Sequence, residues 1–599
     1  MELSRRDVLK LGVLSSAALL IPMERVARTK EATFTRLAPT ALADLKYKAP
    51  MFVQPAAVKT PCDVPNVDFY DFVMRESQVN VLNVPGGKKQ DYPLTRIWGY
   101  NGETPGPNIH VEQGVRTIVR HVNGLAGKYH PTLKYEPVTS VHLHGSASLP
   151  EYDGYASDTT WPDEYKDYHY PNIQDARTLW YHDHGVHETA SNAYMGLAAQ
   201  YVLHDPWERG LGIPVGPDNP YDVGLTVRDA IFGTDGQLIY DDNSQSSVQG
   251  DVILVNGRPW PVMQVEPRKY RFRVLNASVS RSYKFALTQT DGATSPDLTM
   301  TVIATDGGLM PKPQPVTYWR HGMAERYEVI IDFSKFRGKS LYLKNVGLPN
   351  NVDYPSTRDI MRFDVSAKDP TSLAGNTIPA VLNPNMDVMG LKDGTVNRRF
   401  QLVRTNGSWT VNGTTWIDVV NNDYGAPLCT EQPGASEIWE IKNSSGGWFH
   451  PFHIHLVDFK VLSRNGKPAY AWEQGPKDVV YVGENETVRV ALELKGPESA
   501  AGQKCYEDEA ARLQSDVAKY GTAAHTGQRT GRYMMHCHNL VHEDHDMMGQ
   551  FWVRTDGKTG KSGKTTPDVD PHHPIDAAPA QPVDNMPAGR PDLVNFVGF

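Results

Sequence analysis

The sequence of 599 residues is poor in cysteine, and its one long apolar run lies near the N-terminus. Only four cysteines occur, which excludes a fold that depends on a dense disulfide framework. The net charge is −9 and no basic tract occurs, so a nucleic-acid partner is not expected. The 17 methionines are scattered and form no methionine-rich segment. What remains is the composition of a globular protein, with a length that suits two to four domains.

The N-terminal residues look like a twin-arginine export signal. Arg5 and Arg6 precede the apolar run at 11–21, which is too short to form a stable membrane span. We therefore expect residues 1–43 to be a signal and N-terminal segment of a bacterial protein that is secreted or held in the cell envelope or periplasm. A signal anchor is the alternative. The cleavage site is not evident from the sequence.

Three of the cysteines have no evident chemical role. They are Cys62, Cys429 and Cys505. Because an exported protein can form disulfides, a Cys429–Cys505 bond is one expectation, and reduced, buried thiols are the other.

A thiol between two imidazoles is the most informative feature that is present. The motif His-Cys-His stands at 536–538, followed by His542 and Met547. A cysteine, two histidines and a weak thioether form the ligand set of an electron-transfer copper site. If the motif lies on a β-strand, Cys537 faces one metal site while His536 and His538 face another. The backbone would then connect two metal centres.

Three other histidine clusters occur far from this motif, at 142–144, 182–184 and 450–455. A His-x-His pair on a strand can direct both imidazoles to one side. A single pair is compatible with a strand whose polar face happens to carry histidines, whereas four clusters together indicate metal binding. The candidate ligands are His142, His144, His182, His184, His450, His453, His455, His536, His538, His542, Cys537 and Met547.

These candidates divide into two sets. One thiolate site takes Cys537, His450, His542 and an axial Met547. Eight histidines remain, a number that suits three coppers held in a cluster.

A weak internal repeat recurs about every 160 residues. In each copy, at 111–123, 265–276 and 431–443, an acidic residue and a turn signal precede a β-rich run that ends at Asn. The copies predict an all-β protein of three related β-sandwich domains.

We place these domains at 45–206, 215–375 and 396–556, followed by a polar, loosely packed tail at 557–599. The middle copy has no His motif, so the second domain is expected to be structural and to bring the outer two together. A polar segment at 496–530 looks inserted.

The four motifs resemble those of the multicopper oxidases, and over residues 95–555 the sequence is most similar to bilirubin oxidases, with spore-coat laccases and phenoxazinone synthases as relatives. The similarity extends beyond the ligands, to 265–273, 323–329 and 455–461. It implies three cupredoxin-like Greek-key domains and four coppers per chain. His142 and His453 would hold the type 2 copper. The type 3 pair would be held by His144, His182, His184, His455, His536 and His538.

The resemblance also implies a reaction. Small organic reductants such as bilirubin, phenols or aminophenols would give up single electrons at the thiolate copper, and O2 would be reduced to water at the cluster. Asp153 and Glu543 match the acids that supply protons in this family, and a carboxylate with that role near the cluster is expected to have a raised pKa. Trp448 resembles a tryptophan that flanks the thiolate copper, with simple hydrophobic cover as its alternative role. His187 and His545 fit no ligand position. Phe452 and the 496–530 segment depart from the family pattern and leave the substrate open.

Other functions stay open at this point. A phenoxazinone synthase-type o-aminophenol oxidase shares the motifs. A Cu(I) or Fe(II) oxidase would carry a methionine-rich segment, and a two-copper nitrite reductase would lack the second His-x-His set. A copper-free cupredoxin scaffold would show gaps among the twelve ligands, and none is present.

Overall fold

The structure is a computed structural model that describes residues 35–62, 67–89, 91–125, 137–242, 245–384, 392–432, 434–494, 531–554, 580–583 and 586. Within these ranges the regular secondary structure is almost wholly β-strand, and the strands form six sheets. The all-β fold class is thereby confirmed. Residues 1–34 of the expected signal, Cys505 and the 496–530 segment lie outside the described residues.

Two sheets come from the first part of the chain. The larger sheet has the order β2-β1-β4-β6-β32 and the smaller the order β3-β8-β7-β5. Their strands are β1 (Val67–Val79), β2 (Thr95–Tyr100), β3 (Ile109–Glu112), β4 (Arg116–Asn123), β5 (Val141–His144), β6 (Glu164–Tyr170), β7 (Arg177–Asp183), β8 (Ala198–His204) and the late β32 (Gln581–Pro582).

The next two sheets have the orders β11-β10-β9-β13-β18-β15-β16 and β12-β20-β19-β14-β17. Their strands are β9 (Asp222–Ala230), β10 (Val252–Val255), β11 (Arg258–Pro259), β12 (Val262–Val265), β13 (Lys269–Asn276), β14 (Tyr283–Thr288), β15 (Met300–Thr305), β16 (Gly308–Val316), β17 (Tyr318–His321), β18 (Arg326–Asp332), β19 (Ser340–Asn345) and β20 (Asp359–Val365).

The last two sheets have the orders β22-β21-β24-β29-β26-β27 and β23-β31-β30-β25-β28. Their strands are β21 (Arg398–Thr405), β22 (Ser408–Val411), β23 (Cys429–Glu431), β24 (Ser436–Asn443), β25 (His450–Ile454), β26 (Phe459–Arg464), β27 (Lys467–Pro468), β28 (Val479–Val482), β29 (Thr487–Glu493), β30 (Gly531–Cys537) and β31 (Met548–Val553).

The helices of the described residues are short; the first precedes β1 and the others lie between strands. They are α1 (Pro39–Leu45), α2 (Thr189–Met195), α3 (Pro206–Gly210), α4 (Trp416–Asn421) and α5 (Leu540–Asp544). Single 3₁₀ turns lie at Pro150–Tyr152, Pro355–Arg358 and Ala471–Glu473. Over the described residues, no helix has both the length and the apolar character needed to cross a membrane.

The internal repeat appears in the topology. In the larger sheet of each pair, the strand that ends at the repeat's Asn runs parallel to the first strand of that pair, as β4 with β1, β13 with β9 and β24 with β21. The smaller sheets also share a parallel contact, in β3 with β8, β12 with β20 and β23 with β31.

The terminal asparagine of each repeat makes the same hydrogen bonds. Asn123, Asn276 and Asn443 are buried, and each accepts at its side-chain oxygen from the backbone N–H two residues on. Each side-chain amide also donates to at least two backbone carbonyl oxygens. The asparagine therefore satisfies buried backbone groups where the chain leaves the sheet, which explains why this residue type recurs.

Part of the expected loose tail is ordered. Gln581 and Pro582 form β32, which pairs antiparallel with Tyr165 and Glu164 at the edge of the first sheet. This corrects the expectation for these two residues. An open strand edge leaves backbone groups that a passing segment can satisfy, even where that segment has little apolar character.

The hydrophobic interior joins the sheet pairs around helix α5. One continuous core runs through the first two sheet pairs, and a second core fills the third pair. Leu540 and Val541 of α5 pack into the first of these cores. The Asp544 carboxylate accepts from the backbone N–H groups of Thr189 and Ala190, at 3.0 and 2.9 Å, at the start of α2. Helix α5 is thus anchored between sheet pairs.

Candidate metal centre

Strand β30 distributes its side chains as the His-Cys-His motif predicts. It ends at Cys537 and pairs with β25, placing Cys537 opposite Phe452 and His536 opposite His453. The Cys537 sulfur lies beside His450 and His542, while His536 lies beside His184 and His455. Because successive side chains on a strand point to opposite faces, neighbouring residues of the motif reach two separate groups of ligands.

The first group surrounds the thiol. The Cys537 Sγ lies 3.2 Å from His450 Nδ1 and 3.6 Å from His542 Nδ1, and the two Nδ1 atoms are 3.2 Å apart. All three residues are buried, and Met547 packs in the same core as Cys537. Three potential ligand atoms therefore converge on one point.

Hydrogen bonds orient both imidazoles of this group. His450 Nε2 lies 2.8 Å from Ser445 Oγ, and His542 Nε2 lies 3.1 Å from the side-chain amide of Asn539. The Nδ1 atoms are left to face the sulfur, as they would in a metal site. Burial raises the pKa of the Cys537 thiol, so a stable thiolate here needs a bound cation.

Two tryptophans cover the same group. Trp409, which the sequence motifs did not single out, is fully buried and stacks on the His542 ring at 3.9 Å and 27°. Trp448, which was singled out, is half-buried and meets His542 edge to face at 5.8 Å. Trp409 was missed because it lies in β22, far from any histidine in the sequence.

The second group contains the other eight histidines, all buried. Their nitrogens converge in three sets, each with its atoms within 4.8 Å of one another, and two of the sets share His455. The sets are His144, His182 and His538; His184, His455 and His536; and His142, His453 and His455. No residue of 222–365 belongs to any potential metal group within the part of the chain that the structure describes.

Some imidazole nitrogens of this cluster have no hydrogen-bond partner, and they indicate whether the cluster can bind a metal. His182 Nδ1 lies 2.7 Å from the Asp183 carbonyl and His453 Nδ1 lies 2.8 Å from the Asp478 carbonyl. Since a carbonyl only accepts, these Nδ1 atoms carry the proton, and each Nε2 keeps a buried lone pair with no hydrogen-bond partner. Burial, followed by the charge of His184, lowers the pKa of His182 to about 3. Neutral imidazoles beside a thiol fit copper.

Asp153 touches two of the imidazoles. Its Oδ2 lies 2.8 Å from His455 Nδ1, and its carbonyl oxygen accepts from His142 Nδ1. Burial raises the pKa of Asp153 well above its usual range. Asp153 directly follows the 3₁₀ turn Pro150–Tyr152. Its backbone carbonyl oxygen and its side chain both contact imidazoles of the cluster.

Glu543 lies between two other imidazoles and differs from what was expected of it. Its Oε2 is 2.7 Å from His536 Nδ1 and its Oε1 is 3.4 Å from His184 Nδ1. Burial alone would raise its pKa, but the neighbouring charges of His536 and His184 lower it to about 2. Glu543 is therefore an ionised acceptor, whereas a raised pKa was expected.

Two residues at the cluster carried no motif of their own. Asp478 lies 3.1 Å from His144 Nε2 and is paired with Arg326. Arg326 falls in the 323–329 stretch that resembled the family. Nothing in the sequence around Arg326 indicates a contact with the histidine cluster.

The remaining expectations concern residues outside both groups. His187 and His545 are partly buried and hydrogen-bonded to the backbone carbonyls of Asp544 and Val541. Neither belongs to a potential metal group of the described residues. Cys429 is buried, and its expected partner Cys505 lies outside the described residues.

Comparison with known proteins adds to this geometry. Models of multicopper oxidase domains match residues 87–208, 233–362 and 391–499 with 514–557. Bilirubin oxidase from Albifimbria verrucaria is 41% identical over 464 residues, which are 76% of this chain and 72% of that protein. Laccase from Bacillus subtilis is 33% identical over 506 residues, covering 77% of this chain and 90% of that protein.

A solved structure agrees with these matches. A laccase from Pediococcus acidilactici superposes with a TM-score of 0.64 at 25% identity, covering 85% of this chain and 95% of the other. The chain therefore belongs to the multicopper oxidases, a family of copper-dependent oxidoreductases that use O2 as electron acceptor.

Proposed function

We propose that this oxidase takes single electrons from organic donors at the thiolate group, which consists of Cys537, His450 and His542. It reduces O2 to water at the cluster of eight imidazoles. The observation that carries the proposal is the alternation along β30, where one peptide segment supplies the thiol of one group and imidazoles of the other. Four coppers per chain would supply the one-electron redox chemistry when bound.

The converging nitrogens support the ligand assignment that the resemblance implies. A type 1 copper, bound at the thiolate, would be held by His450, Cys537, His542 and Met547. Two sets of three imidazoles, His144, His182 and His538 together with His184, His455 and His536, suit the type 3 pair. His142 and His453 remain for the type 2 copper.

The chain's own groups conduct electrons and handle protons. Cys537 is joined through its backbone to His536 and His538, so the path between the two groups is covalent. Asp153 holds a proton at its carboxyl oxygens beside His455, and Glu543 accepts at Oε2 beside His536. Both carboxylates are buried against imidazoles, where a proton can be passed without bulk water.

The donor is proposed to be an organic molecule of the bilirubin, phenol or aminophenol type. The names of the similar proteins, bilirubin oxidase and laccase, support this class. The half-buried Trp448 beside His542 gives the thiolate group an aromatic cover next to solvent, against which a flat donor can stack.

We also propose that the protein is exported through a twin-arginine signal, on the evidence of Arg5, Arg6 and the apolar run that follows. Replacement of both arginines by lysine should keep the protein inside the producing bacterium. Fractionation of cells and medium measures this.

Parallel oxygen-uptake assays test the donor class. Copper-loaded protein is given bilirubin, an o-aminophenol, a dimethoxyphenol or Cu(I), and O2 consumption is followed in each case. We expect uptake with bilirubin and the phenol. Inactive bilirubin beside a fast o-aminophenol would reject the bilirubin-oxidase subtype but keep the class. Uptake with Cu(I) alone would indicate a metal oxidase, and no uptake with any donor would indicate a scaffold.

A further inference from the structure

An ion pair outside the ligand set lies against the cluster. The Asp478 carboxylate receives both ends of the Arg326 guanidinium, with Nη1 to Oδ1 at 2.8 Å and Nη2 to Oδ2 at 2.5 Å. Both side chains are fully buried. A buried pair of this kind is costly to desolvate, so its presence is weak evidence of added stability.

Asp478 contacts two imidazoles in two different ways. Its Oδ1 lies 3.1 Å from His144 Nε2, and its backbone carbonyl oxygen lies 2.8 Å from His453 Nδ1. Both oxygens are acceptors, so the facing nitrogens carry protons. His144 Nδ1 and His453 Nε2 are then the lone pairs that remain, and neither has a hydrogen-bond partner. Asp478 thus selects the Nε2-protonated tautomer of His144 and the Nδ1-protonated tautomer of His453. The two rings stack, with their centroids 3.7 Å apart and their planes at 17°.

Arg326 brings in the middle sheets. It begins β18, and its remaining N–H groups donate to the carbonyl oxygens of Thr178 at 2.9 Å, Ala324 at 3.0 Å and Asp306 at 3.2 Å. The guanidinium is therefore fixed by the first and second sheet pairs while it holds a carboxylate of the third. His144 belongs to β5 of the first pair and His453 to β25 of the third.

The glycine after His144 fits this arrangement. Gly145 has φ +86°, and a Cβ there would collide with Asp478 Oδ2 and lie 2.6 Å from Arg326 Nη2. The ion pair can approach the His-x-His turn this closely only because the position has no side chain.

We propose that Asp478, held by Arg326, is a positioning residue that sets the tautomers of His144 and His453 and so holds the copper cluster together across the three sheet pairs. The proposal rests on the proposed ligand assignment. It gives the middle sheets a part in the site, although they supply no ligand among the described residues.

The test replaces Asp478 by Asn, which keeps the shape but removes one acceptor. The amide oxygen can still face His144 Nε2 and Arg326 Nη1, as Oδ1 does, but the NH2 group then faces Arg326 Nη2 as a second donor, so the two-pronged contact that holds the residue is lost. We expect fewer than four coppers per chain and loss of the paramagnetic resonance signal of the copper at His142 and His453. Affinity of the cluster for copper should fall about 10- to 100-fold, while the visible absorption of the thiolate copper persists.

Asp458→Asn is the matched control. Asp458 pairs with Arg177 at 2.6 Å between the first and third sheet pairs, and none of its described contacts is with an imidazole. This variant should keep four coppers and the wild-type resonance signal. Arg326→Lys is the second variant, because it keeps the charge but loses the two-pronged contact; it should reproduce the loss seen with Asp478→Asn.

Four coppers and an unchanged resonance signal in Asp478→Asn would overturn the proposal. Equal copper loss in Asp458→Asn would overturn it as well, since any interface ion pair would then suffice. Failure of the proposed function is distinguishable, because it would show in the wild-type protein as four bound coppers without O2 uptake. Copper content and resonance would still report on Asp478 in that case.

Discussion

The thiolate group and the eight-imidazole cluster are equally buried, but they are held in place differently. The thiolate group takes its ligands from β25, β30, helix α5 and the residue Met547 that follows it, and its orienting partners Ser445 and Asn539 lie within five residues of the histidines. The cluster draws on two sheet pairs. Two of its orienting contacts join residues 302 and 334 positions apart, in His455 with Asp153 and His144 with Asp478.

This difference indicates that the thiolate site depends mainly on contacts between residues close in the sequence. The cluster depends on how the sheet pairs pack together. A change inside the third sheet pair can remove the thiolate copper and leave the cluster. A change at an interface acts on the cluster first. The following variants are ordered from the largest expected effect to the smallest.

Cys537→Ser should separate the two sites most sharply. A hydroxyl is a poor ligand for this copper, so the thiolate copper and its visible absorption should be lost and O2 uptake with organic donors should fall to background. The eight imidazoles are unchanged, and three coppers should remain. Copper analysis and optical spectra measure both. A fall below three coppers would mean that the sites are not independent.

Asp153→Asn should act on the cluster alone. Asparagine can still accept from His455 Nδ1, so the copper content should stay at four, but the side chain no longer carries a proton. Steady-state O2 reduction should slow about a hundredfold. Rapid mixing with a donor without oxygen should show reduction of the thiolate copper at the wild-type rate. Turnover at the wild-type level would end the assignment of this residue.

Trp409→Phe should have the smallest effect and should be confined to the thiolate group. The variant loses the indole N–H bond to the Gln245 carbonyl at 2.7 Å and part of the stacking on His542, together worth about 1 kcal/mol. A redox titration should show a shifted potential for the thiolate copper, with the cluster's resonance signal unchanged.

Trp319→Phe is the control for this last variant. Trp319 is also buried and also donates its indole N–H, to His321 Nδ1 at 3.0 Å, but it lies in the middle sheets. It should leave the potential unaltered. A shift of equal size in both variants would contradict a local effect of Trp409.

The sequence was sufficient for much of this arrangement because the candidate ligands are adjacent in short motifs. Strand alternation separates Cys537 from His536 whatever the rest of the fold does, and β30 shows that separation. The repeat that ends at Asn123, Asn276 and Asn443 was visible for a similar reason. Each asparagine accepts from the backbone N–H two residues on, so this part of its role is set locally.

The orienting residues could not be predicted in the same way. Asp478, Arg326 and Trp409 are of types that occur throughout the chain, and their contacts depend on how sheets from distant segments meet. The lowered pKa of Glu543 also depends on this meeting, because His184 arrives from the first sheet pair and His536 from the third. No spacing in the sequence encodes that distance.

The contact between His184 and His536 also limits when the cluster can form during protein synthesis. These residues are 352 positions apart, and the cluster cannot close until both have been made. At about 5–20 residues per second, a ribosome needs on the order of twenty seconds to a minute for that stretch. During this time the first four histidines of the cluster wait without their partners. The complete site can therefore bind metal only after this stretch has been synthesised. A chain whose translation stops early lacks both copper centres.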